Sequence, residues 1–107
     1  MTIIRGQCVL HTLADLVRIP SVNPSYTGGT SELAVAEYVE QFFAQRGIAT
    51  QRQCVAEDRP NVIAKIPGKS SNRRVVLEAH MDTVSVSGMV MDPWDPQIRD
   101  GKLYGRG

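Results

Sequence analysis

The stretch VVLEAHMDTV, residues 75–84, constrains the fold more than any other part of this chain, because a long apolar run ends in two ionisable side chains. Near-continuous apolar runs are typical of strands that are buried on both faces of a sheet. The pattern therefore predicts a central strand over Arg73 to Ala79. Ionisable groups at the end of a buried strand need partners or a chemical task, so His80 and Asp82 are the first candidates for a functional site.

The rest of the chain predicts two helices and further strands around this one. Helical spacing predicts a first helix over Gln7 to Ile19, ended by Pro20, and a second helix that Thr30 or Ser31 caps. In the first helix the apolar residues at helical spacing are Leu10, Leu13, Leu16 and Val17. The other expected features are a buried stripe in the second helix of Leu33, Ala36, Val39, Phe42 and Phe43, a cap at Gly47, strands over Ile48 to Val55 and Asn61 to Ile66, and a hairpin centred on Asp100 and Gly101. This order indicates an α/β fold in which the helices pack on a mixed β-sheet.

Composition narrows the classes of partner. With 107 residues, the chain fits one small domain. It has twelve basic and eleven acidic side chains, a net charge of +1, and no basic block that would bind nucleic acid. No stretch approaches the roughly 20 apolar residues that span a membrane, and the N-terminus does not have the pattern of a secretory signal. Cys8 and Cys54 form no CxxC pair, which favours two reduced thiols in a cytoplasmic protein. We expect a small-molecule partner, and neither nucleic acid nor membrane.

The spacing of His80 and Asp82 gives this pair a chemical use. Side chains alternate along a strand, so the two share a face with their Cα atoms about 6.6 Å apart. A carboxylate that accepts the imidazole N–H fixes the tautomer and leaves the other ring nitrogen free, as a metal-bound histidine requires. On these residues alone, a histidine satisfied in the core or a polar strand end is favoured, because so short a motif recurs by chance.

Four short segments, which occur in order along the chain, give a more specific signal than the HxD pair. They are IPSVN (19–23), PNVIA (60–64), LEAHMDTV (77–84) and DGKLYGRG (100–107). Together they resemble the N-terminal part of the M20 metallopeptidase family, which includes acetylornithine deacetylase, succinyl-diaminopimelate desuccinylase, aminoacylase and carboxypeptidase G relatives. The HxD motif followed by DGKLYGRG is specific. The resemblance implies that residues 1–107 are an incomplete N-terminal portion of an M20-like, zinc-peptidase-like catalytic domain, without its inserted lid and dimerisation domain.

The resemblance also implies roles for the two residues. His80 would be a metal ligand to one of two Zn2+ ions, for which Co2+ or Mn2+ could substitute, and Asp82 would be the catalytic-site carboxylate that orients it. The remaining ligands and the catalytic glutamate of the family lie beyond Gly107. The implied function is hydrolysis of amide bonds in N-acyl amino acids or small peptides, by a full-length protein for which a homodimer is one expectation. The alternative is a catalytically inactive fragment or interaction module that retains only the scaffold.

Other ionisable residues give weaker signals. His11 and Glu78 are expected to serve packing, hydrogen bonding or solvated surface, given the burial preferences of these residue types. Asp92, Trp94 and Asp95 follow the HxD motif, where they could shape the rim of a site or simply belong to a proline-punctuated loop.

Overall fold

The structure is a computed structural model that describes residues 5–107 and contains, within that range, two helices and four strands. The elements are α1 (Gly6–Arg18), α2 (Leu33–Ala44), β1 (Thr50–Ala56), β2 (Arg59–Ala64), β3 (Gln97–Arg99) and β4 (Lys102–Tyr104). β1 pairs with β2 and β3 pairs with β4, both antiparallel, in two separate two-stranded sheets. The predicted α/β class is confirmed.

Helix α1 forms where the apolar spacing places it and ends before Pro20. Ile19 is extended, and its N–H donates to the Leu16 carbonyl at 3.2 Å. The helix buries Ala14 and Val17, whereas Leu13 is 44% exposed. The covered face of α1 therefore runs through Ala14 and Val17.

Helix α2 begins without the cap that the sequence predicted. Its N-cap residue is Glu32, with no side-chain capping bond, and Ser31 has a φ of 70°. Thr30 and Ser31 therefore do not cap the helix. The Glu32 carboxylate pairs with Arg59 of β2 at 2.5 Å and makes no cap to the helix. Neither helix of the described residues is long and apolar enough to cross a membrane.

The hairpin of β1 and β2 forms the surface on which α2 packs. Its register runs from Thr50 opposite Ala64 to Ala56 opposite Arg59, with an irregularity between Cys54 and Ala56. β2 starts two residues earlier than predicted, because the chain reverses tightly after Ala56 and pairing resumes at once. Val35 and Ala36 of α2 are buried.

The predicted central strand over residues 73–79 is absent. Val75, Val76 and Leu77 are 87%, 84% and 93% exposed, and this segment has no strand assignment. A strand exists through hydrogen bonds to neighbouring strands. Within residues 5–107, the nearest pairing after this segment is a parallel bridge between Thr83 and Val22. An apolar pattern indicates which residues would gain from burial, but it does not say which part of the chain would cover them.

The predicted hairpin near the end of the chain is confirmed. Asp100 and Gly101 connect β3 to β4 with φ angles of 49° and 72°. Positive φ at both central positions is the geometry of the hairpin turn that Asp-Gly favours.

The described chain has a small core and a large surface. Its buried apolar residues are Ala14, Val17, Val22, Val35 and Ala36. The accessible area is 8598 Å², whereas a compact protein of this mass exposes about 5,900 Å². The radius of gyration is 15.8 Å, against about 13 Å for a compact chain of this length. Much apolar surface therefore faces solvent.

Candidate metal site

A backbone anchor fixes the chain directly after Asp82. The Thr83 N–H donates to the Ser21 carbonyl and the Asn23 N–H donates to the Thr83 carbonyl, both at 2.9 Å. Ser21 and Val22 are buried, with 2% and 3% exposure. This anchor brings the loop after α1 alongside the HxD segment, so that Asn23 and Asp82 lie side by side.

The His80 ring meets Asp82 in the way that the sequence predicted. Its Nδ1 lies 2.7 Å from the Asp82 backbone oxygen and 3.2 Å from Oδ1. Both oxygens are acceptors when the carboxylate is ionised, so Nδ1 carries the proton and Nε2 holds a lone pair. The His80 side chain is 83% exposed. The ring is therefore in the tautomer that can offer Nε2 to a metal, while its role as a ligand stays a prediction.

Asn23 is a member of this cluster to which the sequence assigned no role. Its Nδ2 donates to Asp82 Oδ2 at 2.7 Å, across 59 positions of sequence. This hydrogen bond is the largest cause that lowers the pKa of Asp82, the His80 ring adds to it, and partial burial opposes it. The one local signal, an Asn-Pro pair, is explained equally well by a turn, so sequence reasoning could not separate the two uses.

A half-buried ion pair joins the start of α2 to β2, with the Arg59 side chain 37% exposed. The Glu32 side chain is 7% exposed and accepts from the Arg59 guanidinium at 2.5 to 3.1 Å. The hydrogen bond to Glu32 is the largest cause that raises the pKa of Arg59, and the charge of Asp82 also contributes. Arg59 is thus held as a cation by Glu32, and the charge of Asp82 favours the same protonated form.

Arg106 of the GRG segment contacts Thr83, the residue that follows Asp82. Its guanidinium donates to Thr83 Oγ1 at 2.7 Å, to the Val17 carbonyl at 3.2 Å and to the Ile19 carbonyl. It also lies over the Trp94 ring at 4.5 Å, and burial lowers the pKa of Arg106. Arg106 therefore joins the end of α1, the residue after Asp82 and the loop that carries Trp94.

The weaker candidates have local explanations. Asp92 Oδ1 accepts the Trp94 N–H at 2.9 Å, and Asp95 accepts from a glutamine amide two residues later at 2.5 Å. These contacts shape the loop itself. His11 and Glu78 are exposed, in agreement with the prediction of solvated surface. Both cysteines are exposed free thiols.

The described side chains that could bind a metal do not make up a complete zinc site. A hydrolytic zinc centre uses three protein ligands and an open position. Among residues 5–107, no cluster of three or more histidine, cysteine, aspartate or glutamate side chains is placed to hold an ion. The exposed Nε2 of His80, with its ring oriented by Asp82, fits one ligand position. The described residues thus fit a part of a metal centre.

Comparisons with known proteins agree with the motifs. The chain is 35% identical to an uncharacterized metallohydrolase of Methanocaldococcus jannaschii, over 88% of this chain and 26% of that protein. It is 30% identical to a probable succinyl-diaminopimelate desuccinylase of Staphylococcus epidermidis, over 100% of this chain and 25% of that protein. It is 36% identical to a succinyl-diaminopimelate desuccinylase of Cereibacter sphaeroides, over 88% of this chain and 24% of that protein.

These relatives confirm the resemblance that the four motifs indicated. The chain spans about a quarter of the length of the curated relatives it matches. No protein-family model matches the chain, and no solved structure matches it significantly.

Proposed function

We propose, on the premise that this chain is a relative of the M20 metallopeptidases, that the complete protein is a zinc-dependent hydrolase of amide bonds in N-acyl amino acids or small peptides. The names of the relatives support a metallohydrolase in general. The desuccinylases among them favour an N-acyl amino acid with an acidic acyl group as the first substrate to test. The free thiols favour a cytoplasmic protein, and a homodimer of the complete protein is part of the proposal.

One observation carries this proposal. The Nδ1–H of His80 donates to Asp82, so Nε2 has its lone pair directed away from that contact, on a side chain that is 83% exposed. A histidine that only satisfied a core hydrogen bond would be buried. A histidine at an ordinary polar surface would not be expected to contact a carboxylate that Asn23 holds in place. A metal-ligating histidine requires both features.

The residues of this chain would act on the metal and not on the substrate. His80 would hold a zinc ion, which when bound would supply polarisation of a carbonyl and a lower pKa for bound water. Asp82 is ionised at neutral pH, as an aspartate with its ordinary pKa already is, and it accepts a hydrogen bond from the proton of His80 on Nδ1. We assign the remaining ligands, and the group that moves the proton from water to the leaving amine, to residues outside the range 5–107.

The first test is His80→Ala in the complete gene product. We expect the variant to keep its fold and to lose at least one metal ion per protein, together with hydrolysis of an N-succinyl amino acid. Elemental analysis after dialysis measures the metal, and circular dichroism measures the fold. His11→Ala is the matched control, because His11 is exposed on α1 and should leave both quantities unchanged. Native metal content in His80→Ala would reject the assignment.

The second test is Asp82→Asn, which keeps the shape and removes the charge. The amide can still contact the ring but favours the wrong tautomer, so we expect a roughly 10- to 100-fold loss of metal affinity or activity. Asp100→Asn is the control, because Asp100 has a φ of 49° in an exposed turn, a conformation that asparagine tolerates. Wild-type turnover with native affinity in Asp82→Asn would remove it from the site. A complete gene product that binds no metal would favour the inactive scaffold module instead.

A further inference from the structure

We propose that Asn23 is a positioning residue of this site, whose side-chain amide holds the Asp82 carboxylate in the orientation that keeps His80 Nε2 available to a metal. The inference rests on the proposed function, since it assumes that His80 is a ligand. It adds a third member to the pair, contributed by a loop that lies far from the HxD motif in sequence.

Hydrogen bonds to both the backbone and the side chain of Asn23 fix its conformation. Its Oδ1 accepts the Ser25 N–H at 2.8 Å, its backbone N–H donates to the Thr83 carbonyl at 2.9 Å, and its backbone carbonyl accepts the Tyr26 N–H at 3.0 Å. Because a backbone N–H can only donate, the side-chain atom facing Ser25 must be the oxygen. The atom 2.7 Å from Asp82 Oδ2 must therefore be the amide nitrogen, which settles the direction of the hydrogen bond.

The two atoms of this amide have separate tasks. The contact of Oδ1 with Ser25 is sufficient to make the local turn, as asparagine side chains commonly do. The Nδ2 contact is not needed for that turn, and it reaches a charged carboxylate at a distance typical of charge-assisted hydrogen bonds. A structural asparagine explains the first contact, and a positioning asparagine explains both.

The consequence for His80 follows from the carboxylate. Asn23 engages Oδ2, which leaves Oδ1 directed to His80 Nδ1 at 3.2 Å. Without that anchor the carboxyl group can rotate, because the terminal torsion of aspartate has a broad energy profile. The Asp82 backbone oxygen would still accept from Nδ1 at 2.7 Å, so the loss is partial. We expect zinc affinity to fall about tenfold, the lower end of the range for residues that support a ligand.

The experiment compares two substitutions at Asn23 in the complete gene product at one neutral pH. Asn23→Ala removes both contacts. Asn23→Asp keeps an acceptor for Ser25 and removes the donor to Asp82. The readouts are zinc affinity by chelator competition for Asn23→Ala, and the tautomer of His80 in the metal-free protein, from the ¹⁵N shifts of labelled histidine. The His80 signals are identified by their loss in His80→Ala, and Asn72→Ala, in an exposed polar loop, is the control.

The proposal expects about tenfold weaker zinc binding in Asn23→Ala and a smaller Nδ1–H fraction in both Asn23 variants, with Asn72→Ala like the wild type. If Asn23 serves only the turn, Asn23→Asp will show the wild-type tautomer, and the inference fails. If His80→Ala loses zinc while Asn23→Ala retains native affinity, the inference fails and the proposed function stands. If His80→Ala also retains zinc, the proposed function fails. Should Asn23→Ala not fold, the tautomer in Asn23→Asp decides the question.

Discussion

Replacing Arg106 by methionine should destabilise the complete protein by about 3 kcal/mol, because one cation joins three separate segments of the chain. The guanidinium contacts the end of α1, the Thr83 hydroxyl and the face of Trp94. Methionine has similar length and keeps the apolar part of the contact. The substitution therefore isolates the loss of charge and of hydrogen bonds.

The magnitude follows from these contacts. A hydrogen bond that involves a charged group contributes about 1.5–3 kcal/mol net, and a cation–π contact about 1 kcal/mol. The bonds to Thr83 and Val17, with the Trp94 contact, would give roughly 4–7 kcal/mol. Burial of the cation, which lowers the pKa of Arg106, offsets part of this and leaves about 3 kcal/mol. Arg106→Lys should cost about half as much, because a single ammonium cannot reproduce the forked donors.

Urea unfolding followed by circular dichroism measures the difference. The midpoint should fall in the order wild type, Arg106→Lys, Arg106→Met, with the same dependence on urea. The control is Arg99→Met, since Arg99 is exposed on β3, and its stability should stay within about 0.5 kcal/mol of the wild type. Equal midpoints for Arg106→Met and Arg99→Met would refute the reasoning, as would a lysine variant less stable than the methionine variant.

Three further predictions use other parts of the structure. Gly29→Ala should lower both stability and zinc affinity, because the new Cβ would lie 2.6 Å from Pro24 Cα and force the loop to move. Gly68→Ala is the control, because a Cβ there meets open space and should change neither the urea midpoint nor zinc affinity. Equal behaviour of the two variants would contradict the prediction. Asp82 should titrate below its ordinary value of 3.8, so its contribution to stability is complete above that pH and is lost as the pH falls through the lower folded value. Carbon NMR of the carboxyl group tests this, and a midpoint at or above 3.8 would count against the hydrogen bond from Asn23. The isolated 107-residue chain should self-associate because of its exposed apolar surface, and with a single histidine ligand it should bind zinc weakly and hydrolyse no acetylornithine. Light scattering, calorimetry and a hydrolysis assay measure the three properties. A monomeric chain that binds zinc tightly and turns over substrate would disprove the prediction.

Local periodicity predicted the features that depend on near neighbours in sequence. The spacing of apolar residues and Pro20 placed α1, and Asp100 with Gly101 placed the last hairpin. The two-residue spacing of His80 and Asp82 was enough to predict their contact. Each of these depends on a backbone geometry that a few adjacent residues establish among themselves.

Features that depend on distant parts of the chain were missed or wrong. The sequence assigned no partner to the Glu32 carboxylate at the start of α2, and Arg59 from another element holds it. The run Val75 to Leu77 was expected to be buried, and it is exposed because the described residues provide no neighbouring strand. In both cases the local pattern does not record which distant part of the chain contacts these residues.

By itself, the sequence determined the α/β class, the two helices, the hairpin turn and the chemical suitability of the HxD pair. Only the tertiary structure decided that Asn23 holds Asp82 and that Arg106 joins three segments around Thr83. The physical reason is that a helix or turn gains its hydrogen bonds within a few residues, whereas a side-chain contact across 59 positions depends on how the whole chain closes, which no local pattern records.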